Sequence, residues 1–193
     1  DDGPIRGEYL ATMVELVSGV HPRVGDAVAE LSGHLDVVQD AAASLGLGVL
    51  AAGTHPFSVA SEQQVVDKPH YEVVKQRNGW WGRRMIVSGT HIHVGVPRHD
   101  WAMPLVGAMA RLYPLVLAAS ASSPFFEVED TGFASQRTML FQQLATNGLP
   151  WDLGTWAEFE AYADELVEVG MITVPTEIRW DIRPSPRFGT LEM

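Results

Sequence analysis

The chain contains no cysteine, which excludes disulfides, thiolate metal sites and cysteine nucleophiles. Lysine is nearly as scarce: Lys68 and Lys75 are the two that occur, and the remaining basic residues are all arginine. Thirteen basic residues against 24 acidic ones leave a net charge of −11. That is the wrong sign for a sequence-independent nucleic-acid binder or for docking on an anionic membrane. No uninterrupted apolar run is long enough to span a bilayer. The stretch from Met103 to Ala121 comes nearest, and Pro104, Gly107, Arg111 and Pro114 break it. A P-loop, a Rossmann glycine pattern, His-Glu-x-x-His and Gly-x-Ser-x-Gly are also missing, so the common nucleotide folds and serine hydrolases have no motif to rest on.

What is present is ordinary globular material: 193 residues, 46% hydrophobic and 19% charged, enough to bury a sizeable core. The arginine bias has two readings. Its planar, permanent charge suits bidentate recognition of carboxylate or phosphate, and GC-rich codon usage produces the same enrichment. The sequence begins Asp1-Asp2-Gly3 and stops at Leu191-Glu192-Met193 inside a strand-like run. We therefore expect one domain over residues 1–193, a fragment or the ordered remainder of something longer. With no cysteine and no signal-like segment, the expected location is the cytoplasm, without nucleic-acid or membrane partners.

Apolar residues at Val24, Val28, Leu31, Leu35, Val38, Ala42 and Leu45 step by four and three, one face of a long amphipathic helix closed by Gly46 and Gly48. Residues 47–52 read as a short buried strand, and a helix is predicted from about Pro69 to Asn78. Met85 to Val96 is the clearest strand. Asp100 to about Ala119 reads as a buried helix with a kink at Pro114. Ser120 to Pro150 reads as a long loop with helical pieces. Thr155-Trp156-Ala157-Glu158 is a capping box opening a helix that ends near Gly170. Glu177–Ile182 and Phe188–Glu192 read as strands. The irregular spacing of helices and strands favours an α+β fold.

Two constellations carry chemistry. His91-Ile92-His93 sits in the strand from Met85, and a strand points residues i and i+2 to one face. The paired imidazoles suit divalent-metal ligation or phosphate contact, or they are simply a hydrogen-bonded, half-buried pair. In the run from Glu177 to Arg187, Arg179, Asp181 and Arg183 share one face while Ile178, Trp180 and Ile182 point into the core. This is either a cationic surface oriented by Asp181 or a salt-bridge ladder. Pro184 and Pro186 stiffen the loop just after the cationic face. The alternation continues into Thr190-Leu191-Glu192. Asp130 to Arg137 adds an arginine beside Ser135, and Trp80-Trp81-Gly82-Arg83-Arg84 sets two arginines before the His-x-His strand. Spacing alone stops at a metal-assisted enzyme acting on an anionic substrate.

Taken in order, these segments resemble the bacterial type 2 glutamate–cysteine ligases, or carboxylate–amine ligases. The resemblance runs through Met13–Gly19, Gly53-Thr54-His55-Pro56-Phe57, Trp80–Met85, Gly89-Thr90-His91-Ile92-His93-Val94-Gly95, Ser120–Phe125, Asp130–Arg137 and Arg179–Pro186, then Gly189–Glu192. It implies a fold similar to the catalytic domain of glutamine synthetase, with a curved, largely antiparallel sheet and helices packed on one side. It also implies a reaction in which ATP phosphorylates the γ-carboxylate of glutamate and an amine, typically cysteine's, displaces phosphate.

The resemblance suggests Glu15, His93 and Glu192 as ligands of Mg2+, with Mn2+ as an alternative ion. It suggests His91, Arg179, Arg137, Arg183, Ser135 and Arg84 around ATP and substrate, with Arg183 and Arg137 as the catalytic arginines. Expected partners are glutamate, an amine such as cysteine, and a second copy of the chain. The family also carries an acidic strand ahead of the segment at Met13, and the sequence pattern shows no such strand here. Met13 stands where the family has glutamine, and the arginine expected shortly after Glu192 would fall beyond Met193. Other readings of the same residues are a non-catalytic remnant that binds nucleotide or amino acid, and a metal-dependent hydrolase using the His-x-His strand without ATP.

Overall fold

The computed structural model describes residues 3–193; Asp1 and Asp2 lie outside the described residues. Strands β1 (Ile5–Gly7) and β2 (Val14–Leu16) pair antiparallel, with Arg6 opposite Glu15. A short strand therefore does precede Met13, and it runs straight into Glu8. With one apolar residue in its three, β1 gives no alternation to read.

Helix α1 (Val24–Ser44) forms where the apolar spacing places it and stops before Gly46, whose φ of 72° lies in the left-handed region. Its apolar face is not sealed, however. Leu31, Leu35, Val38 and Ala42 are half-buried, and Val24, Val28 and Leu45 are exposed. The buried strand expected over residues 47–52 is absent. That segment is irregular, with Leu47 63% and Leu50 54% exposed, because no neighbouring strand offers it a ladder. Helix α2 (Pro69–Gly82) starts on a proline, whose missing N–H would have no partner in a first turn anyway, and bends at Gly79.

The strand expected from Met85 to Val96 is reduced to β3 (His93–Gly95). Upstream, Ile86 and Val87 are buried and Val87 makes an isolated bridge to Thr54. The single kinked helix expected from Asp100 is two helices, α3 (Ala102–Ala110) and α4 (Tyr113–Ser120), bent by 61°. The break falls at Arg111–Leu112, and Pro114 sits in the first turn of α4, where it initiates a helix rather than kinking one. Among the described residues no single helix is long and apolar enough to cross a membrane.

The segment expected as a loop from Ser120 holds a hairpin of β4 (Phe125–Phe126) and β5 (Glu129–Asp130), then α5 (Gln136–Phe141) and β6 (Asn147–Gly148). Helix α6 (Trp156–Glu168) opens with the capping box: Thr155 Oγ1 accepts from Glu158 N at 3.2 Å and Glu158 Oε2 accepts from Thr155 N at 2.8 Å. Strand β7 (Arg179–Trp180) runs parallel to β6, while β8 (Arg183–Ser185) and β9 (Thr190–Glu192) are antiparallel neighbours. The largest sheet has three strands in the order β3-β9-β8. Mixed helices and small, mostly antiparallel sheets agree with an α+β fold.

Under that sheet lies the main core: Met103 and Val106 of α3, Phe159 and Ala163 of α6, and Ile178, Trp180, Ile182 and Leu191. Full burial of a side chain such as Ile182 contributes roughly 1.5–3 kcal/mol. A second cluster joins Tyr9 and Leu10 to Ile86, Val87, Phe126 and Leu140. The first cluster packs against one face of the sheet at Leu191, while Val94 on the same face stays exposed.

Candidate active site

Strand register builds the site. His93 lies opposite Glu192, and Glu192 lies opposite Arg183, so the three side chains form one row across β3, β9 and β8. The adjacent row, Val94, Leu191 and Pro184, belongs to the other face, with Leu191 and Pro184 buried. Glu192 is itself only 8% exposed, low for a carboxylate, and its surroundings explain how it is kept there. Arg183 Nη2 donates to Glu192 Oε1. His91 Nδ1 stands 3.2 Å from the same oxygen, and His93 Nε2 is 3.8 Å from Oε2. The i and i+2 imidazoles thus do converge, and what they converge on is Glu192. His93 Nδ1 is 2.8 Å from Thr190 Oγ1, which fixes the ring, and Phe188 packs edge-on against it.

Arg183 also donates from Nη1 to Trp180 O at 2.7 Å, so its fork is anchored at both ends. Partial burial pulls the His91 pKa below its usual value. Glu192 opposes this, while Arg183, Arg137 and His93 reinforce it. The neutral imidazole is favoured at physiological pH. These influences also place Arg137 within charge range of the row.

Arg137 reaches the site from α5. Its backbone N–H donates to Ser123 Oγ at 3.1 Å, its guanidinium carbon is 5.0 Å from the Phe141 ring, and its Nε is buried with no hydrogen-bond partner. Asp181 lies in charge range of both Arg137 and Arg183, and its Oδ2 is likewise buried and unpartnered. Burial holds the Asp181 carboxyl above the usual range despite the two arginines. Tyr113 faces Asp181, and burial followed by that charge pushes its phenol up to about 12. The alternation expected after Glu177 is real: Ile178, Trp180 and Ile182 are at most 3% exposed, and Arg179, Asp181 and Arg183 take the other face. Arg179 is exposed and feels Arg183.

Glu15 stands at the edge of this site. Arg6 Nε holds it at 3.0 Å. Burial raises its carboxyl pKa, with Glu8 and Glu192 adding to the effect. Glu8 and Tyr71 escaped sequence reasoning. Tyr71 packs edge-on against Tyr9 at 5.2 Å and interacts with Glu8, and burial followed by the Glu8 and Glu15 charges pushes its phenol up to about 12. Their signal was weak because Glu8 follows a three-residue strand and Tyr71 lies on a helix with no visible motif.

The remaining candidates have other neighbours in the structure. Arg84 pairs with Glu127 at 2.9 Å and stacks 4.0 Å from the Trp80 ring. Ser135 shares a 2.9 Å hydrogen bond with Thr138. Among the described residues, no three His, Asp or Glu side chains lie close enough together to hold a metal ion. Glu8 and Glu192 are hard oxygen donors in charge range of Glu15 rather than one cluster with it, near two arginines and two imidazoles.

Residues 4–193 match the model of glutamate–cysteine ligase family 2. The chain belongs to that family. It is 45% identical over 194 residues to a protein of Arthrobacter sp. (strain FB24) provisionally named glutamate–cysteine ligase 2-1, covering 100% of this chain and 51% of that one. A provisionally named glutamate–cysteine ligase 2 of Leifsonia xyli subsp. xyli is 43% identical, with 98% and 50% covered. That of Clavibacter michiganensis subsp. michiganensis is 46% identical, with 97% and 49% covered. The chain spans about half the length of these curated relatives. The family match includes both strands that carry acidic groups toward the site, β2 with Glu15 and β9 with Glu192.

Proposed function

We propose that this chain carries the phosphoryl-transfer face of an ATP-dependent carboxylate–amine ligase, with glutamate as acyl donor and an amine such as that of cysteine as acceptor. The observation that carries the reading is the row His93–Glu192–Arg183 with Arg137 in charge range, which sets cationic forks beside carboxylates on one sheet face. Family membership supports the same reading, as does the α+β layout, which accommodates a glutamine synthetase-like sheet.

A carboxylate is a poor acyl donor, because oxide is a poor leaving group. In the proposed reaction a γ-carboxylate oxygen of glutamate attacks the terminal phosphorus of ATP, the bond to ADP breaks, and an acyl phosphate forms. The amine nitrogen then attacks the acyl carbon, inorganic phosphate leaves, and the nitrogen loses a proton. Charge developing on the transferred group needs preorganised cations around it. Arg183 is held by Trp180 O and Glu192, so its orientation is set before substrate arrives. Arg137, with its buried and unpartnered Nε, has donor capacity left for an anion. His91, kept neutral, can accept a proton from the attacking amine.

Glu15 and Glu192 offer the hard oxygen donors and His93 the nitrogen that Mg2+ or Mn2+ would take, but with Arg6 on Glu15 and Arg183 on Glu192 these residues do not form a metal cluster as they stand. Such an ion, when bound, would neutralise phosphate charge.

The test is phosphate release from the purified chain, alone and joined to the remainder of a family-length sequence. Release that requires ATP, Mg2+, glutamate and an amine together supports the ligase. ATP binding without release in both forms identifies a non-catalytic member, and ATP-independent hydrolysis overturns the proposal.

A further inference from the structure

Four separated segments meet at Arg137. Gly53 N donates to Ser122 Oγ at 3.2 Å, Ser88 N donates to Gly53 O at 3.0 Å, and Ser123 Oγ accepts from Arg137 N at 3.1 Å. The fourth contact is one of close packing rather than a hydrogen bond. A Cβ added at Gly89 would lie 2.4 Å from Arg137 Nη2, 2.9 Å from Cζ and 3.0 Å from Nε. Gly89 is not among the glycines with positive φ, so its backbone would accept any L-residue. Space, not conformation, is what an added side chain would contest here, and it is taken by the mobile end of the Arg137 side chain, which would have to shift. The Phe141 ring also lies against the same group, its centroid 5.0 Å from Cζ. Gly53 repeats the pattern at the base of the side chain, since a Cβ there would meet Ser123 Oγ at 2.8 Å and Arg137 Cβ at 3.3 Å.

We propose that Gly89 is a positioning residue: with Gly53 and Phe141 it forms a slot that holds the Arg137 guanidinium toward the His91–Glu192 row, in reach of the anionic substrate. The proposal rests on the ligase reading for the identity of that substrate, but not for the slot itself. An arginine on a long, flexible stem loses much of its effect if its fork can wander. Here the fork is fixed by shape, and its Nε is not spent on a protein acceptor. A methyl group at position 89 would drive the guanidinium from 2.4 Å to an ordinary contact of 3.4 Å or more, a displacement of about 1 Å.

The experiment compares wild type, Gly89→Ala, Arg137→Lys, the double variant, and Gly33→Ala as a control whose added Cβ meets nothing within 4 Å. Two readouts are taken: the Nε–H signals of arginine side chains in 15N-resolved NMR spectra, and ATP-, glutamate- and amine-dependent phosphate release. The Arg137 signal is the one missing in Arg137→Lys. Gly89→Ala is expected to move or broaden that signal and to lower kcat about 10²-fold, the scale for a misplacement of about 1 Å. In the Arg137→Lys background the same substitution costs less than about twofold, because the clashing fork is gone. Gly33→Ala changes neither readout.

An unmoved Arg137 signal in Gly89→Ala overturns the proposal, and so do losses that multiply in the double variant. If Gly89→Ala does not fold, Gly89→Ala/Arg137→Lys must fold, since the clash is removed; failure of both overturns it. Should wild type release no phosphate in the present chain or in the family-length form, the ligase reading fails, and the NMR signal alone upholds or overturns the slot.

Discussion

Arg183 and Glu192 face each other in the register of β8 and β9 and are joined from Nη2 to Oε1, in a position where their side chains are only 14% and 10% exposed. A pair this sheltered is costly to halve and cheap to remove whole. Glu192→Leu leaves the Arg183 charge without its partner and is expected to cost about 3 kcal/mol in a urea titration. Arg183→Met together with Glu192→Leu restores most of that loss, because two apolar side chains of similar volume replace the pair. Phosphate release is expected to vanish in both. A double variant no more stable than Glu192→Leu would show that the pair does not act as a unit.

The same carboxylate governs His91. Its pKa lies below the usual 6.5, chiefly through partial burial, and among the influences on it Glu192 is the one that raises it. The folded state therefore prefers the neutral ring. That contribution to stability is present above pH 6.5 and is lost as pH falls through the folded-state value. In an NMR titration of the imidazole Cε1–H signals, Glu192→Leu should move the His91 midpoint lower still. Arg183→Met should move it upward, since Arg183 disfavours the protonated ring. Midpoints that do not move in opposite directions would break the assigned coupling.

How much of this was legible in the sequence differs by element. The capping box at Thr155 and the alternation from Ile178 to Arg183 are local patterns, fixed by hydrogen bonds and burial within a few residues, and both appear as read. The convergence of His91 and His93 was legible as a two-residue period, but their meeting point was not. Glu192 is 99 and 101 residues away from them by numbering, and strand register alone brings it there. Arg84 shows a partner that the sequence did not reveal. In the structure it pairs with Glu127 and stacks on Trp80, and nothing local in the sequence links position 84 to position 127. Residues 47–52 read as a buried strand because they are apolar, but a strand needs an unpaired neighbour, which the described residues do not provide there.

That apolar segment belongs with α1, whose stripe is also uncovered, and the two suggest a comparison. Ile182 is 0% exposed inside the main core, so Ile182→Ala should cost about 2–4 kcal/mol by loss of contacts and a residual cavity. Leu31→Ala removes a side chain of similar size from the half-buried face of α1 and should cost less than about 1 kcal/mol in this chain. Both are read from urea midpoints at constant slope. In a protein of full family length, the Leu31→Ala penalty is expected to rise if the additional residues cover α1, while the Ile182→Ala penalty stays as it is. Equal penalties in the present chain would mean that α1 is already packed.

Backbone strain gives the last prediction. Glu127 and Val128 link β4 to β5 with φ of 50° and 74°, a left-handed pair that side chains rarely adopt and that a β-branched residue adopts least readily. Contacts hold the turn in place: Glu127 accepts from Ala60 N and pairs with Arg84, both at 2.9 Å, and Val128 N donates to Pro56 O at 2.8 Å. The Val128 side chain is 75% exposed and adds little packing. Val128→Gly removes a conformational cost of about 1–2 kcal/mol and adds roughly half of that in unfolded-chain entropy. A net gain of about 0.5–1 kcal/mol is expected, seen as a higher Tm with phosphate release unchanged. Glu127→Gly relieves the first position in the same way but also strips the partner from Arg84 and the acceptor from Ala60. It should therefore lower Tm, and a rise instead would show that those anchors do not hold the turn.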